Sequence, residues 1–156
     1  MRSFESVKNA LRVKGVTFDE VLFTDTAVSA RVTDTSMGKN YDPLHAIKTL
    51  IVSCKDGFKA VILRGSDKID QAKLKAVVGK WSVLDSATLG TKFDYQPGTI
   101  CPLDLDLPVL IDQDALNIEI WSMGAGAVDK GVNVKVEEAL KHLVGYQIVP
   151  IRQEKI

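Results

Sequence analysis

The order of apolar and polar residues predicts a chain that mixes helices with many short strands. Near the start, Phe4, Val7 and Leu11 recur at the spacing of one helical face, and Gly15 stands where such a helix would stop. Residues 17–23 are rich in aromatic and β-branched side chains, which favour a strand. The first part of the chain therefore predicts a helix followed by a strand.

A β-hairpin is the clearest element of the pattern. Two apolar runs, residues 47–54 and 58–63, are separated by Lys55, Asp56 and Gly57. An Asp-Gly pair between two such runs is a strong turn signal, which we place at Asp56-Gly57. Because both faces of the first run are apolar, we expect it to be a central strand of a sheet.

Each of the remaining segments shows either the periodicity of a helix or the alternation of a strand, or has the composition of a loop. Asp25 is expected to cap a short helix, and residues 33–43 have the composition of a loop. Helices are predicted at 67–78, 85–89 and 136–143, and in the first of them Leu74, Val77 and Val78 are expected to point inward. Strands are predicted at 81–84, 107–111, 118–122, 131–136 and 146–151. Because hairpins and short links dominate, we expect an α+β fold, with a mixed, largely antiparallel sheet of about seven strands surrounded by helices. Residues 1–156 are expected to form a single domain.

Composition and charge narrow the function classes. Hydrophobic residues make up 46% of the chain and charged residues 26%, as is typical of a folded soluble protein. The 20 basic and 20 acidic side chains cancel. Because neutralisation of phosphates drives non-specific binding to long nucleic acids, zero net charge excludes a general coating protein. Zero net charge remains compatible with a protein that contacts only the end of a nucleic acid.

The short length of the apolar runs and the spacing of the cysteines and histidines exclude further classes of protein. The longest apolar runs are far shorter than the roughly 20 residues of a membrane span, and Glu5 lies where a signal peptide would be apolar. Cys54 and Cys101 form no CxxC pair, and the histidines have no zinc-binding spacing. We therefore expect a cytoplasmic protein without a metal or organic cofactor, and with neither a membrane nor DNA as a partner.

Lys48 is the first candidate for chemistry. In a strand it shares one face with Leu50, Val52 and Cys54, and burying an ammonium without a partner is costly. A lysine tolerated there is expected to line the mouth of a pocket and to meet an anion or a polar ligand. A lysine at a strand end could equally extend to water. The spacing leaves both interpretations open.

Two glycine-containing segments could bring backbone groups close to a ligand. Residues 98–102, Gly-Thr-Ile-Cys-Pro, form a stiff loop whose amides could stabilise a carbonyl oxygen that gains negative charge, although a plain turn is the commoner explanation. Residues 122–131 contain Gly124 and Gly126 and lie between two predicted strands. Their glycines could admit a ribose or a phosphate, or could simply form a flexible hairpin loop.

Other polar residues have simpler explanations. Cys101 could be a nucleophile, but nothing identifies a histidine or a carboxylate partner for it. Cys54 is expected in the core, and His45 precedes the central strand, where it could serve the site. Asp104 and Asp106 alternate with leucines, which indicates the solvent side of an alternating segment rather than a metal pair.

The order of these features resembles that of the YbaK/ProX family. A Lys-Thr-Leu strand start is followed by an Asp-Gly hairpin, a lysine-bearing helix, a Gly-x-x-x-Pro loop, a Pro-Val-Leu-Ile-Asp strand and a glycine segment before a last strand and helix. The similarity extends over residues 4–151 and is strongest over 47–151. The family includes free-standing deacylases and the insertion domain of bacterial prolyl-tRNA synthetases. The resemblance therefore implies hydrolysis of mischarged aminoacyl-tRNA, such as Cys- or Ala-tRNA(Pro).

The resemblance also implies roles for individual residues. The essential lysine of the family falls on Lys48, which would be the catalytic residue, and the glycine and proline of its GxxxP motif fall on Gly98 and Pro102. The glycine segment lacks the arginine common in the family, for which Lys130 could substitute, and residues 33–43 are hard to align. The expected substrate-binding residues are Thr49, Gly98, Thr99, Ile100, Cys101, Pro102, Ser122, Gly124 and Gly126.

Three functions remain open. The first is a trans-editing hydrolase that acts on a tRNA acceptor end carrying an amino acid, with an aminoacyl-tRNA synthetase as a further partner. The second is a non-catalytic module of the same fold that binds an aminoacyl-tRNA end or a synthetase, and the third is an unrelated small-ligand protein. An aminoacyl ester is already activated, so a positioned water or the substrate's own groups can attack once the carbonyl is polarised. Lys48 would then orient the terminal adenosine or stabilise developing charge.

Overall fold

The computed structural model describes residues 2–22, 42–143 and 145–154. Within these ranges the chain combines helices and sheets in an α+β fold, which confirms the fold class predicted from the sequence. The helices are α1 (Phe4–Val13), α2 (Gln71–Val78), α3 (Ser86–Phe93) and α4 (Val136–Lys141). The strands are β1 (Asp19–Leu22), β2 (Ile47–Cys54), β3 (Gly57–Arg64), β4 (Trp81–Val83), β5 (Val109–Asp112), β6 (Ile120–Ala127), β7 (Lys130–Lys135) and β8 (Gln147–Val149).

The strands are divided between two sheets, where the sequence suggested one. The larger sheet has the order β4-β2-β3-β5-β8, with β2 antiparallel to both of its neighbours and β3, β5 and β8 parallel. The smaller sheet, of order β1-β7-β6, is antiparallel throughout. The two sheets meet at a parallel bridge between Ala46 and Ser122. The start of β2 therefore lies beside β6.

The main hydrophobic core is shared by the two sheets. It includes Ile62 of β3 and the fully buried Trp121 of β6. A smaller core covers the opposite face of the larger sheet and contains Leu63 of β3 and Leu74 of α2. Because successive strand residues point to opposite faces, β2 contributes alternately to both cores.

Helix α1 packs on the main core with the predicted face. Phe4, Val7 and Leu11 are buried. At its start, the Ser6 amide donates to the Ser3 hydroxyl and the Ser3 amide donates to the Ser6 hydroxyl, at 3.1 and 2.7 Å. This capping box satisfies two backbone donors that a helix start otherwise leaves unpaired.

Strands β2 and β3 form the predicted hairpin with a turn one residue earlier than expected. Cys54 pairs with Gly57, so Lys55 and Asp56 form a two-residue loop. Gly57 opens β3 with a φ of 110°, a conformation that favours glycine. The glycine therefore begins the second strand and does not occupy the centre of the turn.

Helix α2 begins later than predicted. Asp70 caps it by accepting a hydrogen bond from the Lys73 amide. Asp67, the predicted start, is instead buried and forms an ion pair with Arg64 at 2.7 Å. Val77, predicted to point inward, is exposed.

Other predicted boundaries also changed, and some lie outside the described residues. Helix α3 runs over Ser86–Phe93 and not over the single turn predicted at 85–89. The helix predicted after Asp25 and residues 33–41 of the predicted loop lie outside the described residues, while Pro43–His45 form a 3₁₀ turn. Among the helices of the described ranges, none is long and apolar enough to cross a bilayer.

Candidate editing site

The glycine segment and the Gly98–Pro102 loop lie in direct contact. Gly124 packs so closely that a Cβ atom there would lie 2.6 Å from the carbonyl carbon of Thr99 and 2.8 Å from the carbonyl oxygen of Ile100. The Gly126 amide donates to the Thr99 carbonyl at 2.9 Å. The structure therefore brings together two segments that the sequence singled out separately.

The glycine segment is a strand and not the predicted loop. Residues 122–127 belong to β6, with an irregularity in the pairing between Gly124 and Ala127, and Val128 and Asp129 form the connection to β7. The prediction was wrong because glycines that signal a loop also serve where another backbone packs against a strand. Here Gly124 accommodates Thr99 and Ile100, and the approaching backbone belongs to the protein itself.

The Gly98–Pro102 segment, called the donor loop below, is held from within. Gly98 has a φ of 83°, which favours glycine. The Thr99 amide donates to the Gln96 carbonyl at 3.1 Å, and the buried Thr99 hydroxyl contacts both backbone groups of Gln96. Among the described residues, no backbone–backbone hydrogen bond involves the amides of Ile100 or Cys101. These two amides therefore have no backbone partner among the described residues, and both residues are buried.

The other candidate residues near these two segments differ in their burial and in the contacts that they already make. The Ser122 hydroxyl is buried and donates to the side-chain carbonyl oxygen of Asn133. Pro102 is buried at the start of a 3₁₀ turn, Pro102–Asp104. Lys130, considered as a substitute for the family arginine, places its ammonium 5.4 Å from the centre of the Phe4 ring.

Lys48 lies half-buried on β2, directly opposite Leu63 of β3. Directly paired residues of antiparallel strands share a face, so Lys48 lies on the side of the smaller core. Burial lowers the pKa of Lys48; the nearby carboxylate of Asp67 opposes this effect and the ammonium of Lys68 adds to it. Within the described residues no carboxylate lies within ion-pair distance of the Lys48 ammonium.

Thr49 lies on the other face of β2, toward the main core that contains Ile100 and Cys101. Its side chain is buried, and its hydroxyl has no hydrogen-bond partner. A buried hydroxyl without a partner is uncommon in folded proteins and invites an explanation by an absent ligand or water. Thr49 therefore shares a side of the sheet with the donor loop, and Lys48 does not.

The bridge between Ala46 and Ser122 gives Lys48 one route to the donor loop. It places the start of β2 next to β6, on which the donor loop packs. A lysine has a long flexible stem, and convergence would require the Lys48 ammonium to pass around the strand edge that borders β6, whereas in this structure the charged groups near it are Asp67 and Lys68. The convergence of the Lys48 ammonium with the Gly98 backbone stays a prediction.

Cys101 has the surroundings of an unreactive thiol. It is fully buried, and its Sγ atom lies 3.9 Å from the sulfur of Met123. Burial is the largest effect and raises the pKa of Cys101 to about 12. Because the thiolate is the nucleophile, a thiol with this pKa remains protonated and inert near neutral pH.

Iodoacetamide is expected to label Cys54 and to leave Cys101 unmodified in the folded protein. Cys54 is half-buried at the end of β2, where its thiol contacts the Gly57 carbonyl, and not in the core as predicted. Mass spectrometry after brief labelling measures both sites, and denatured protein, in which both react, is the control. Labelling of Cys101 in the native state at the rate of Cys54 would contradict an inert thiol.

Sequence reasoning missed two carboxylates that act near these segments. Asp67, interpreted as a helix cap, is buried and contributes to the electrostatic surroundings of Lys48. Asp104, interpreted as the solvent side of a strand-like segment, follows Pro102 in the 3₁₀ turn and pairs with Arg2. The pattern Arg64-x-x-Asp67, which begins at the last residue of β3, was the available signal for Asp67, whereas nothing local indicates the role of Asp104.

Two further observations concern alternative sites. In the part of the chain that the structure describes, no group of three or more histidine, cysteine, aspartate or glutamate residues could hold a metal ion. A cavity of about 510 Å³ lies beside β1 and is lined among others by Arg12 and Phe18. None of the site residues predicted from the sequence lines it.

Comparison with known proteins decides the family. Residues 28–142 match the aminoacyl-tRNA editing domain. The chain belongs to this family. The matched range includes β2, the donor loop and β6, so the segments described above are parts of an editing domain.

The curated relatives are longer proteins that match about two thirds of this chain. The chain is 30% identical over 112 residues to proline–tRNA ligase of Legionella pneumophila (strain Corby), covering 69% of this chain and 20% of the ligase. It is 26% identical over 104 residues to proline–tRNA ligase of Vesicomyosocius okutanii, covering 67% of this chain and 18% of the ligase. The chain thus spans about a fifth of the length of these relatives.

Solved structures share the fold of the editing domain described here. A protein proposed to be a trans-editing enzyme for prolyl tRNA synthetase superimposes with a TM-score of 0.79 at 17% identity, covering 97% of both chains. A scaffold protein from a study of computational epitope grafting superimposes with a TM-score of 0.83 at 18% identity, again covering 97% of both chains. At these identities the similarity concerns the fold alone.

Proposed function

We propose that this editing domain hydrolyses the ester bond of mischarged aminoacyl-tRNA. The observation that carries the proposal is the donor loop, which packs against Gly124 and leaves the amides of Ile100 and Cys101 without backbone partners. Two adjacent backbone donors in a water-poor setting suit a carbonyl oxygen that becomes negatively charged during acyl transfer. Membership of the editing family supports this reaction class.

The chemistry needs polarisation of the ester more than it needs a protein nucleophile. The ester carbonyl oxygen would accept hydrogen bonds from the donor loop, and a water or the substrate's own hydroxyl would attack the carbonyl carbon. Cys101 takes no covalent part because its thiol stays protonated. Lys48 would orient the terminal adenosine or stabilise developing charge.

The other predicted substrate-binding residues divide into two groups. Thr49 would place its unpartnered hydroxyl toward the bound aminoacyl group, since it lies on the side of the donor loop. Gly98, Pro102, Ser122, Gly124 and Gly126 would act through the backbone or through packing. Thr99 belongs with this second group because its hydroxyl is already used by Gln96.

The partners follow from the reaction. We infer that a tRNA acceptor end carrying an amino acid is the substrate, with Cys- or Ala-tRNA(Pro) as the first candidates, and that a prolyl-tRNA synthetase is a further partner. The proposed place of action is the cytoplasm, where tRNAs are charged. We also propose that residues 1–156 act as a single domain, since α1 packs on the same core as β6.

A deacylation assay with a panel of charged tRNAs tests the proposal. Purified protein is expected to release amino acid from one or more mischarged tRNAs, with Cys- and Ala-tRNA(Pro) tested first, and to leave correctly charged Pro-tRNA(Pro) intact. Radiolabelled amino acid and acid precipitation measure the rate. Absence of hydrolysis across the panel, with active enzyme control reactions, would reject it.

A non-catalytic module is the second candidate, and the face on which Lys48 lies favours it. The Lys48 side chain begins on the side of the smaller core, away from the donor loop. A module that only binds an aminoacylated end would show saturable binding to charged tRNA without release of the amino acid. Filter binding alongside the deacylation assay separates the two functions.

A further inference from the structure

Arg2, which precedes α1, contacts the chain on both sides of the donor loop. The Arg2 amide donates to the Asp94 carboxylate at 2.6 Å, and its Nε donates to the Phe93 carbonyl at 2.8 Å. Its Nη1 donates to the Asp104 backbone carbonyl at 2.7 Å and also pairs with the Asp104 carboxylate. A single side chain therefore joins the chain just before the donor loop to the chain just after it.

Tyr95 connects this network to the donor loop itself. The Arg2 guanidinium lies 4.4 Å from the centre of the Tyr95 ring, and Nη1 lies 3.4 Å from the hydroxyl. The hydroxyl in turn donates to the Cys101 carbonyl at 3.5 Å. Burial raises the pKa of Tyr95, so this hydroxyl keeps its proton over the working pH range.

Lys14 holds the same region from the other end of α1. Its ammonium donates to the Leu103 carbonyl at 2.7 Å. Arg2 and Lys14 flank α1, whose buried face packs in the main core. Both side chains donate hydrogen bonds to carbonyls of the Pro102–Asp104 turn. Two contacts from the flanks of one helix therefore hold the turn that directly follows the donor loop.

From these contacts we propose that Arg2, assisted by Lys14, is a positioning residue that holds the donor loop in its working geometry. The contacts come from residues 2–14, which precede the matched range 28–142. The inference rests on the proposed deacylation. Arg2 acts through the loop and does not touch the substrate.

The test compares Arg2→Met, Arg2→Lys and Lys14→Met with a matched control, Arg12→Met. Arg12 lies on α1, between Arg2 and Lys14 in sequence, but its contacts are to Asn9 and to the Phe18 ring. Since small displacements of reacting groups cost up to about 100-fold, Arg2→Met is expected to lower kcat by about tenfold or more, with KM within about twofold. Lysine cannot reproduce the guanidinium fork, so Arg2→Lys is expected to lie between wild type and Arg2→Met.

Hydrogen exchange of the peptide covering residues 94–104 gives a second readout that does not depend on activity. Faster exchange in Arg2→Met than in Arg12→Met supports the proposal. If kcat and hydrogen exchange are both unchanged in Arg2→Met, the proposal is overturned. A change confined to KM also overturns it, because it would indicate that Arg2 contacts the substrate. If Arg2→Met does not fold, Arg2→Lys decides by the same criteria.

The two proposals can fail separately. If wild-type protein hydrolyses no aminoacyl-tRNA, the proposed function is rejected. Selective loosening of residues 94–104 in Arg2→Met would then still support the positioning of the loop, and equal exchange in the two variants would overturn it.

Discussion

Replacing Lys48 with alanine is expected to lower the rate of deacylation by about 100- to 1000-fold, the range typical for loss of one group that stabilises transition-state charge. The fold is expected to persist. The ammonium is half-buried, its pKa is lowered by burial, and no described carboxylate pairs with it. Its removal therefore relieves a desolvation cost and breaks no ion pair.

Two controls separate the charge of Lys48 from other effects. Lys48→Met keeps most of the apolar stem and is expected to lose as much activity as Lys48→Ala. Lys55→Ala removes an exposed lysine from the turn of the same hairpin and is expected to keep full activity. Single-turnover rates and circular dichroism measure activity and fold.

The outcome also decides whether Lys48 passes around the strand edge to the donor loop. Full activity in Lys48→Ala would place the ammonium outside the site, on the face of β2 that Lys48 shares with Leu63 of the opposite strand. A crystal structure with a non-hydrolysable aminoacyl-adenosine analogue would show the distance directly. An inactive Cys101→Ala together with an active Lys48→Ala would instead indicate thiol chemistry.

Gly124→Ala is expected to destabilise the protein by about 1–3 kcal/mol, the usual cost of overpacking a filled space. The added Cβ would lie 2.6 Å from the Thr99 carbonyl carbon and 2.9 Å from the Ile100 nitrogen. Both are backbone atoms, so the donor loop must move as a whole. A displacement of about 1 Å at a catalytic group can cost about 100-fold in rate, and we expect a loss of that order in deacylation.

Gly90→Ala is the matched control for this prediction. Gly90 lies inside α3, and apart from its chain neighbours and the backbone of its own helix no atom lies within 4 Å of the Cβ that alanine would add. Because alanine favours helix over glycine by about 1 kcal/mol, Gly90→Ala is expected to stabilise the protein slightly and leave activity unchanged. Urea unfolding measures both variants. Equal stability of Gly124→Ala and wild type would show that the donor loop does not need its present position against β6.

Some errors of the sequence interpretation have one cause. Residues 122–131 were predicted as a loop because glycine has the same local signal in a turn and in a strand covered by another backbone. The deciding neighbours, Thr99 and Ile100, are remote in sequence. The role of Asp104 was missed for the same reason, since its partner Arg2 lies 102 positions away in the sequence.

The order of apolar and polar residues by itself determined the α+β class, the buried face of α1 and the hairpin of β2 and β3, because helical and alternating periods arise from contacts between near neighbours in sequence. The succession of short motifs also indicated the editing family. Only the tertiary structure decided that the strands divide into two sheets, that the donor loop packs into the core on the Thr49 face of β2, and that Arg2 joins the chain before the donor loop to the chain after it. These features depend on contacts between remote segments, which no local pattern of residues specifies.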